Sequence, residues 1–321
     1  MEFSIDYFTR LADEAVSQIK YPDVCAGLYD PIRYAMAAGG KRLRPSLCMA
    51  VYAALTHGNP LDVISQATAL EMYHNFTLLH DDVMDNADLR RGQPTVHRKW
   101  DANTAILSGD TMLSMAYGML AKDAGERFRA VFDVFNRTAL EIDEGQQLDM
   151  EFETRRRVTI EEYMEMIRLK TSVLLGCACQ IGAIMAGASE EVCEKFYNYG
   201  ISLGLAFQLQ DDWLDTFGDP VIFGKEIGGD IVNKKKTWLL ITSLAEAEEE
   251  VEGILGEDLV PEERVTQIKR VYDHLGLSKR CAAVAMRYAD EAVAALRGVA
   301  LDRDAEDFFV DLAHKAATRN H

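Results

Sequence analysis

Proline is scarce in this chain, at seven in 321 residues, and none lies between Pro94 and Pro220. Proline breaks helices, so an interval that long leaves room for several long ones. Cysteine is nearly as scarce. The six residues, Cys25, Cys48, Cys177, Cys179, Cys193 and Cys281, form no Cys-x-x-Cys pair. That excludes a zinc-ribbon pattern and a disulfide framework, and leaves free, largely buried thiols of a reducing cytosol. Alternating strand patterns flanked by Asn-Gly or Asp-Gly turns are also absent. Positive charge is in deficit: 34 Lys and Arg stand against 52 Asp and Glu, a net charge of −18. Such a chain is not expected to bind nucleic acid or a membrane surface in general. Met1 to Arg10 carries Glu2 and Asp6 and has no apolar signal core. The longest apolar stretch, Ser172 to Ala188, contains Gln180 and is short for a membrane span, so it reads as a buried core helix.

What is present is helical periodicity. Between Ala67 and Leu79, the residues Leu70, Tyr73, His74, Thr77 and Leu78 recur at spacings of three and four. The expected fold is all-α, a single large helical bundle around a central cavity, with residues 1–321 forming one domain. Gly39-Gly40 should end an alanine-rich helix, and Pro45 suits the first turn of the next. His57 to Pro60, Arg91 to Pro94 and Phe217 to Pro220 read as connections. Glu246 to Glu252 reads as a solvated acidic surface.

Two acidic clusters share one spacing: Asp81-Asp82-Val83-Met84-Asp85 and Asp211-Asp212-Trp213-Leu214-Asp215. Residues four apart lie on one helix face, one turn apart, where like charges repel. A divalent cation turns that repulsion into attraction. Hard oxygen ligands suit Mg²⁺, which uses one or two carboxylates with waters and substrate phosphates. A single acidic cluster is usually a solvated face, but each of these follows an apolar helical segment. Two of them could face each other across a cavity and hold metal between them. Cations flank both: Lys41, Arg42 and Arg44 after Gly39-Gly40, then Arg90-Arg91, Lys225 and Lys234 to Lys236. In so acidic a chain this grouping points to phosphate, which Arg grips bidentately and Lys meets as a point charge.

These motifs, in this order from Gly39 to Thr237, resemble the trans-isoprenyl diphosphate synthases, or polyprenyl synthetases, of the short-chain farnesyl and geranylgeranyl type. The resemblance implies a Mg²⁺-dependent prenyltransferase that joins isopentenyl diphosphate to allylic diphosphates (dimethylallyl, geranyl, farnesyl). It implies Asp81, Asp85 and Asp211 as the metal ligands, with Asp82, Asp212 and Asp215 supporting them. Lys41, Arg44, His74 and Arg91 match the residues that hold isopentenyl diphosphate. Arg90, Lys170, Thr171, Gln208, Lys225 and Lys235 match those around the allylic diphosphate. Lys234 stands where many relatives have glycine, which leaves open whether it or Lys235 reaches the phosphate. Several Mg²⁺ ions per site, a homodimer and a cytoplasmic location are implied in the same way.

Ionising an allylic diphosphate requires neutralising the leaving group, and the cation formed must meet an alkene and not water. The resemblance implies the released diphosphate as the base for the final proton loss, and no dedicated His or Glu is evident for it. A growing prenyl tail should run along the helix leading to Asp81, with Thr77, Phe76 and Tyr73 as its floor. A single aromatic at Phe76 with no insertion in the first motif resembles family members that stop at fifteen or twenty carbons, which implies geranylgeranyl diphosphate, with farnesyl diphosphate next and a longer polyprenyl product as an alternative. Three rival classes remain, one of them a non-catalytic partner subunit of a heteromeric synthase, which would typically lack the Asp-rich motifs that are both intact here. A terpene cyclase would need neither the cations at Lys41, Arg44 and Arg91 nor a second cluster of this form. A di-iron bundle would use Glu71-x-x-His74, but its only partner motif is Asp311-x-x-His314.

Overall fold

The computed structural model describes residues 3–219 and 227–319. The chain is helical almost throughout, as its periodicity requires. In order run α1 (Ile5–Ser17), α2 (Ala26–Ala37), α3 (Leu43–Thr56), α4 (Ile64–Met84), the short α5 (Val96–Lys99), α6 (Ala102–Ala121), α7 (Phe128–Thr154) and α8 (Ile160–Ile167). Then come α9 (Val173–Met185), α10 (Glu190–Phe217), α11 (Gly229–Val232), α12 (Trp238–Glu246), α13 (Glu248–Gly256), α14 (Pro261–His274), α15 (Leu277–Ala295) and α16 (Arg303–Thr318).

Helix starts follow from capping chemistry. Ser4 accepts from the Tyr7 amide at 3.1 Å, and Asp101 accepts from the Thr104 amide at 2.8 Å. Thr159 and Glu162 form a reciprocal capping box at the head of α8. One departure from an all-helical reading is a hairpin of two-residue strands, β1 (Leu89–Arg90) and β2 (Gln93–Pro94). Arg91 and Gly92 at its tip both have positive φ, 53° and 74°, which suits the right-handed twist of the two strands. The sequence lacked the Asn-Gly signature, and the turn forms with arginine in its place.

The chain divides into two compact units. The first comprises Met1–Asn136, Cys177–Phe196 and Ala300–Phe308, and the second Arg137–Gly176, Tyr197–Val299 and Phe309–His321. In the first, α4 packs along α6 and against α3, burying Leu47, Met49, Leu70, Met72 and Met112 completely. In the second, α12 packs on α13 and α15, and α14 closes on α13 and α15. Tyr163, Tyr199 and Tyr272 are buried in this unit.

The stretch Ile160–Met185 has the length and apolarity to cross a membrane, but 72% of its apolar window is buried inside the protein. It is a core segment, as the sequence suggested for Ser172 to Ala188. Of the cysteines, Cys25 is exposed and the other five are buried and free. Glu246, Glu248 and Glu252 are helical and pair with Arg280, Arg157 and Arg156, so that acidic run is tied down rather than merely solvated.

Candidate active site

In the first unit, the loop between α2 and α3 organises the cations. Arg42 starts α3 with φ 45° and is 4% exposed. Its guanidinium pairs with Glu71 at 2.6 Å and Asp13 at 2.8 Å and donates to the Met36 carbonyl at 3.0 Å. One of the loop's cations is therefore structural. The same contacts answer the di-iron reading, because Glu71 is held by Arg42 and by Asn75 at 3.1 Å. At the far end of the chain, Asp311 pairs with Lys315 and His314 with Asp290.

Lys41 is exposed at the loop, while Arg44 and Arg91 converge near His74. Arg91 donates to the Gly39 carbonyl, and a Cβ on Gly40 would lie 2.7 Å from the Arg91 guanidinium. Gly40 has φ 140°, so both its backbone and its missing side chain admit Arg91 there. Burial, aided by the charge of Arg91, pulls the Arg44 pKa down to about 10, against the attraction of Glu71. The buried Nε of Arg44 has no hydrogen-bond partner. Burial, then Arg44, Arg91, Arg90 and Arg42, drive the His74 pKa well below its ordinary value. His74 is thus a neutral imidazole among guanidiniums, a set of donors that an anion would satisfy.

Helix α4 carries the first acidic cluster at its C-terminal end. The Asp85 amide donates to the Asp81 carbonyl at 2.8 Å, the one-turn repeat that the spacing predicted. Asp81 is half-buried and Asp85 exposed. Asp82 points elsewhere: it is buried and pairs with Arg90 at 2.7 Å. The proposed floor residues separate onto two stripes. Tyr73, Phe76 and His80 form one, with Phe76 edge-on to His80 at 4.8 Å and Tyr73 packed on Phe135 at 5.0 Å. His80 reaches the Ile106 carbonyl of α6 at 3.1 Å, so that stripe faces α6. His74, Thr77 and Asp81 share the other stripe at helical spacing.

In the second unit, Lys170 and Thr171 sit in a π turn, Arg168–Ser172, between α8 and α9. Sequence periodicity did not show this wider turn, and such turns recur at functional sites. Lys170 pairs with Asp149 of α7 at 2.5 Å. That approach depends on Gly145, where a Cβ would lie 2.3 Å from the Lys170 amide nitrogen. Gly145→Ala is therefore expected to cost about 1–3 kcal/mol of stability by overpacking. It should also lower turnover by displacing Lys170. Thermal melts and steady-state rates check this, and a variant with unchanged values in both would refute the tight approach.

Helix α10 carries the second cluster. Asp212 is buried, accepting from the Tyr163 hydroxyl and from Gln208 Nε2 at 3.2 Å. Burial, reinforced by Asp230, pushes its carboxyl above the usual carboxylate range, against Tyr163, Lys235 and Gln208. Asp215 accepts from the Asp230 amide at 3.0 Å. Asp211, half-buried, pairs with Arg319. Lys235 lies close enough to act on Asp212, which favours it over Lys234 as the lysine beside the cluster. Lys225 and its neighbour Gly224 lie outside the described residues.

Sequence reasoning missed Asp149, Tyr163, Asp230 and Arg319. A lone acid or tyrosine outside a repeated cluster has no motif to mark it, and Arg319 stands more than a hundred residues from its partner. Among the described residues, no three His, Cys, Asp or Glu side chains are arranged to hold a metal ion. Asp81 and Asp85, one turn apart at the end of α4, offer two hard oxygen donors. This arrangement suits a cation that takes its remaining oxygens from water and phosphate.

A family model described as Polyprenyl synthetase matches residues 26–275. The geranylgeranyl diphosphate synthase of Methanosarcina mazei is 46% identical over 67% of this chain and 67% of its own. The geranylfarnesyl diphosphate synthase of Natronomonas pharaonis is 39% identical over 80% of each chain. A crystal structure of a geranylgeranyl pyrophosphate synthase superposes with a TM-score of 0.93 at 41% identity, covering 99% of both chains. The helical architecture, the order of the acidic and basic motifs and these matches agree: the chain belongs to the polyprenyl synthetase family and is a prenyltransferase.

Proposed function

We propose that this prenyltransferase condenses isopentenyl diphosphate with an allylic diphosphate, uses Mg²⁺, and stops at geranylgeranyl diphosphate. The observation that carries the proposal is the group formed by Arg44, Arg91 and neutral His74, with a buried guanidinium nitrogen lacking a partner. A diphosphate head group satisfies such a set, and isopentenyl diphosphate is its assigned occupant, with Lys41 at the exposed rim. Asp81, Asp85 and Asp211 are the assigned Mg²⁺ ligands. When bound, the metal neutralises the diphosphate leaving group and so eases ionisation of the allylic C–O bond.

Lys170, Lys225 and Lys235 add positive charge around the departing diphosphate, with Thr171 and Gln208 as hydrogen-bonding partners. Arg90 links this role to Asp82, which it already holds. Asp212 and Asp215 position the cluster through Tyr163 and the Asp230 amide. His74, with its pKa driven down, binds through an N–H and is a poor base. The released diphosphate is the better acceptor for the proton lost at the end. The geranylgeranyl product is supported by the names of two of the relatives above. A second copy of the chain as partner rests on the family resemblance.

Incubation with isopentenyl diphosphate and dimethylallyl, geranyl or farnesyl diphosphate, followed by chromatography, tests the reading. Failure to elongate any primer would overturn it. Product length should respond to the two stripes of α4. Thr77→Phe adds bulk on the Asp81 stripe and is expected to shorten the main product. Phe76→Ala opens the α6-facing stripe and is expected to lengthen it. An unchanged product distribution in both variants would move the floor away from α4.

A further inference from the structure

Asp211 already has a cation. The Arg319 side chain, 12% exposed, donates from Nη2 to Asp211 Oδ1 and to the Phe207 carbonyl at 3.2 Å. Its guanidinium carbon lies 3.6 Å from the centre of the Phe207 ring. Gln210 Nε2 donates to the Arg319 carbonyl at 2.8 Å. Residues 207, 210 and 211 of α10 thus hold Arg319 by ring, backbone and carboxylate, and the diphosphate chemistry uses none of these contacts.

The pair differs from Arg42–Glu71, where the side chains are 3% and 2% exposed and further carboxylate and carbonyl oxygens complete the guanidinium. Asp211 is 35% exposed, and the buried Nε of Arg319 has no partner. Arg319 is therefore incompletely satisfied, and one shared oxygen, Oδ1, is its only carboxylate contact among the described residues. A divalent cation seeking Asp211 would meet a like charge already on that carboxylate. Two cations competing for one oxygen are antagonistic by linkage.

We propose that Arg319 is a tethered counter-cation that competes with divalent metal for Asp211 and thereby sets the metal affinity of that carboxylate. The proposal rests on Asp211 being a metal ligand. Metal loading at Asp211 displaces the guanidinium from Oδ1 while Phe207 and Gln210 keep the residue near α10.

Direct Mn²⁺ titration of the full chain, by calorimetry or electron paramagnetic resonance, tests this without reference to activity. An Asp81→Ala, Asp85→Ala background removes the other two assigned metal carboxylates from the measurement. Arg319→Gln, which keeps a polar side chain but removes the charge, is expected to bind Mn²⁺ about three- to tenfold more tightly. Arg319→Lys, which keeps the charge but loses the planar stacking on Phe207, should tighten Mn²⁺ binding less than Arg319→Gln does. Unchanged or weaker Mn²⁺ binding in Arg319→Gln overturns the proposal, as does equal tightening in the Gln and Lys variants. Asp211→Asn separates the two levels. If it retains the parent affinity, Asp211 is not a ligand and both readings fall. If it loses binding while Arg319→Gln does not tighten it, only the role of Arg319 falls.

Discussion

Asp81→Ala and Asp211→Ala are each expected to lower turnover by about 100- to 1,000-fold at saturating Mg²⁺, with helical content unchanged. Each removes an oxygen that the leaving-group chemistry needs, and no neighbour replaces it: Asp82 is held by Arg90 and Asp212 by Tyr163 and Gln208. Their effects on stability should differ. Asp81 repels Asp85 one turn away, so its loss relieves about 0.2–0.5 kcal/mol of like-charge repulsion. Asp211 neutralises Arg319, so its loss strands a largely buried guanidinium and should lower stability by about 1–3 kcal/mol. The like-charge argument alone would give both variants the same sign, and the Arg319 contact is what separates them. Steady-state rates and thermal melts measure both effects. Near-normal turnover in either variant would remove that residue from the metal set.

Arg44→Ala is expected to raise KM for isopentenyl diphosphate by about 10- to 150-fold, equivalent to about 1.5–3 kcal/mol for a charge-assisted contact. The allylic KM should change much less, because the allylic contacts are assigned to Lys170, Gln208, Lys225 and Lys235. Arg44 suits the test because its buried Nε has no protein partner, so its removal leaves little unpaired behind. Arg42→Ala is the contrasting control. It would leave Glu71, 2% exposed, without its guanidinium, and should destabilise the protein by about 3–5 kcal/mol. Equal changes in both KM values for Arg44→Ala would count against separate phosphate sites. So would a stability loss in Arg44→Ala as large as that of Arg42→Ala.

The family resemblance was legible because its chemistry is local in sequence. Asp81 with Asp85 and Asp211 with Asp215 are one-turn pairs, and Gly39-Gly40 with Lys41 to Arg44 is a contiguous turn and helix start. Such patterns survive being read as a string, since helix geometry alone puts residues four apart on one face. The all-α fold was legible for the same reason, through periodicity and the missing proline.

What only the tertiary structure decided was which of several equivalent charges is used for packing and which is left for chemistry. Spacing and charge alone do not distinguish Arg42 from Arg44, two residues apart in one motif; only the family resemblance singled out Arg44. Folding buries Arg42 against Glu71 and Asp13 and leaves Arg44 with an unmet donor. It likewise turned Asp82 onto Arg90 and Asp212 onto Tyr163, set Lys170 in a π turn against Gly145, and brought Arg319 to Asp211. The physical reason is common to all of these. A charge is used up by whichever opposite partner the fold brings within hydrogen-bond reach, and those partners lie from eight to more than a hundred residues away in the chain. The ordered motifs carried the family resemblance, and periodicity and spacing determined the helices and the acidic pairs. Burial and long-range pairing determined which side chains remain available to bind.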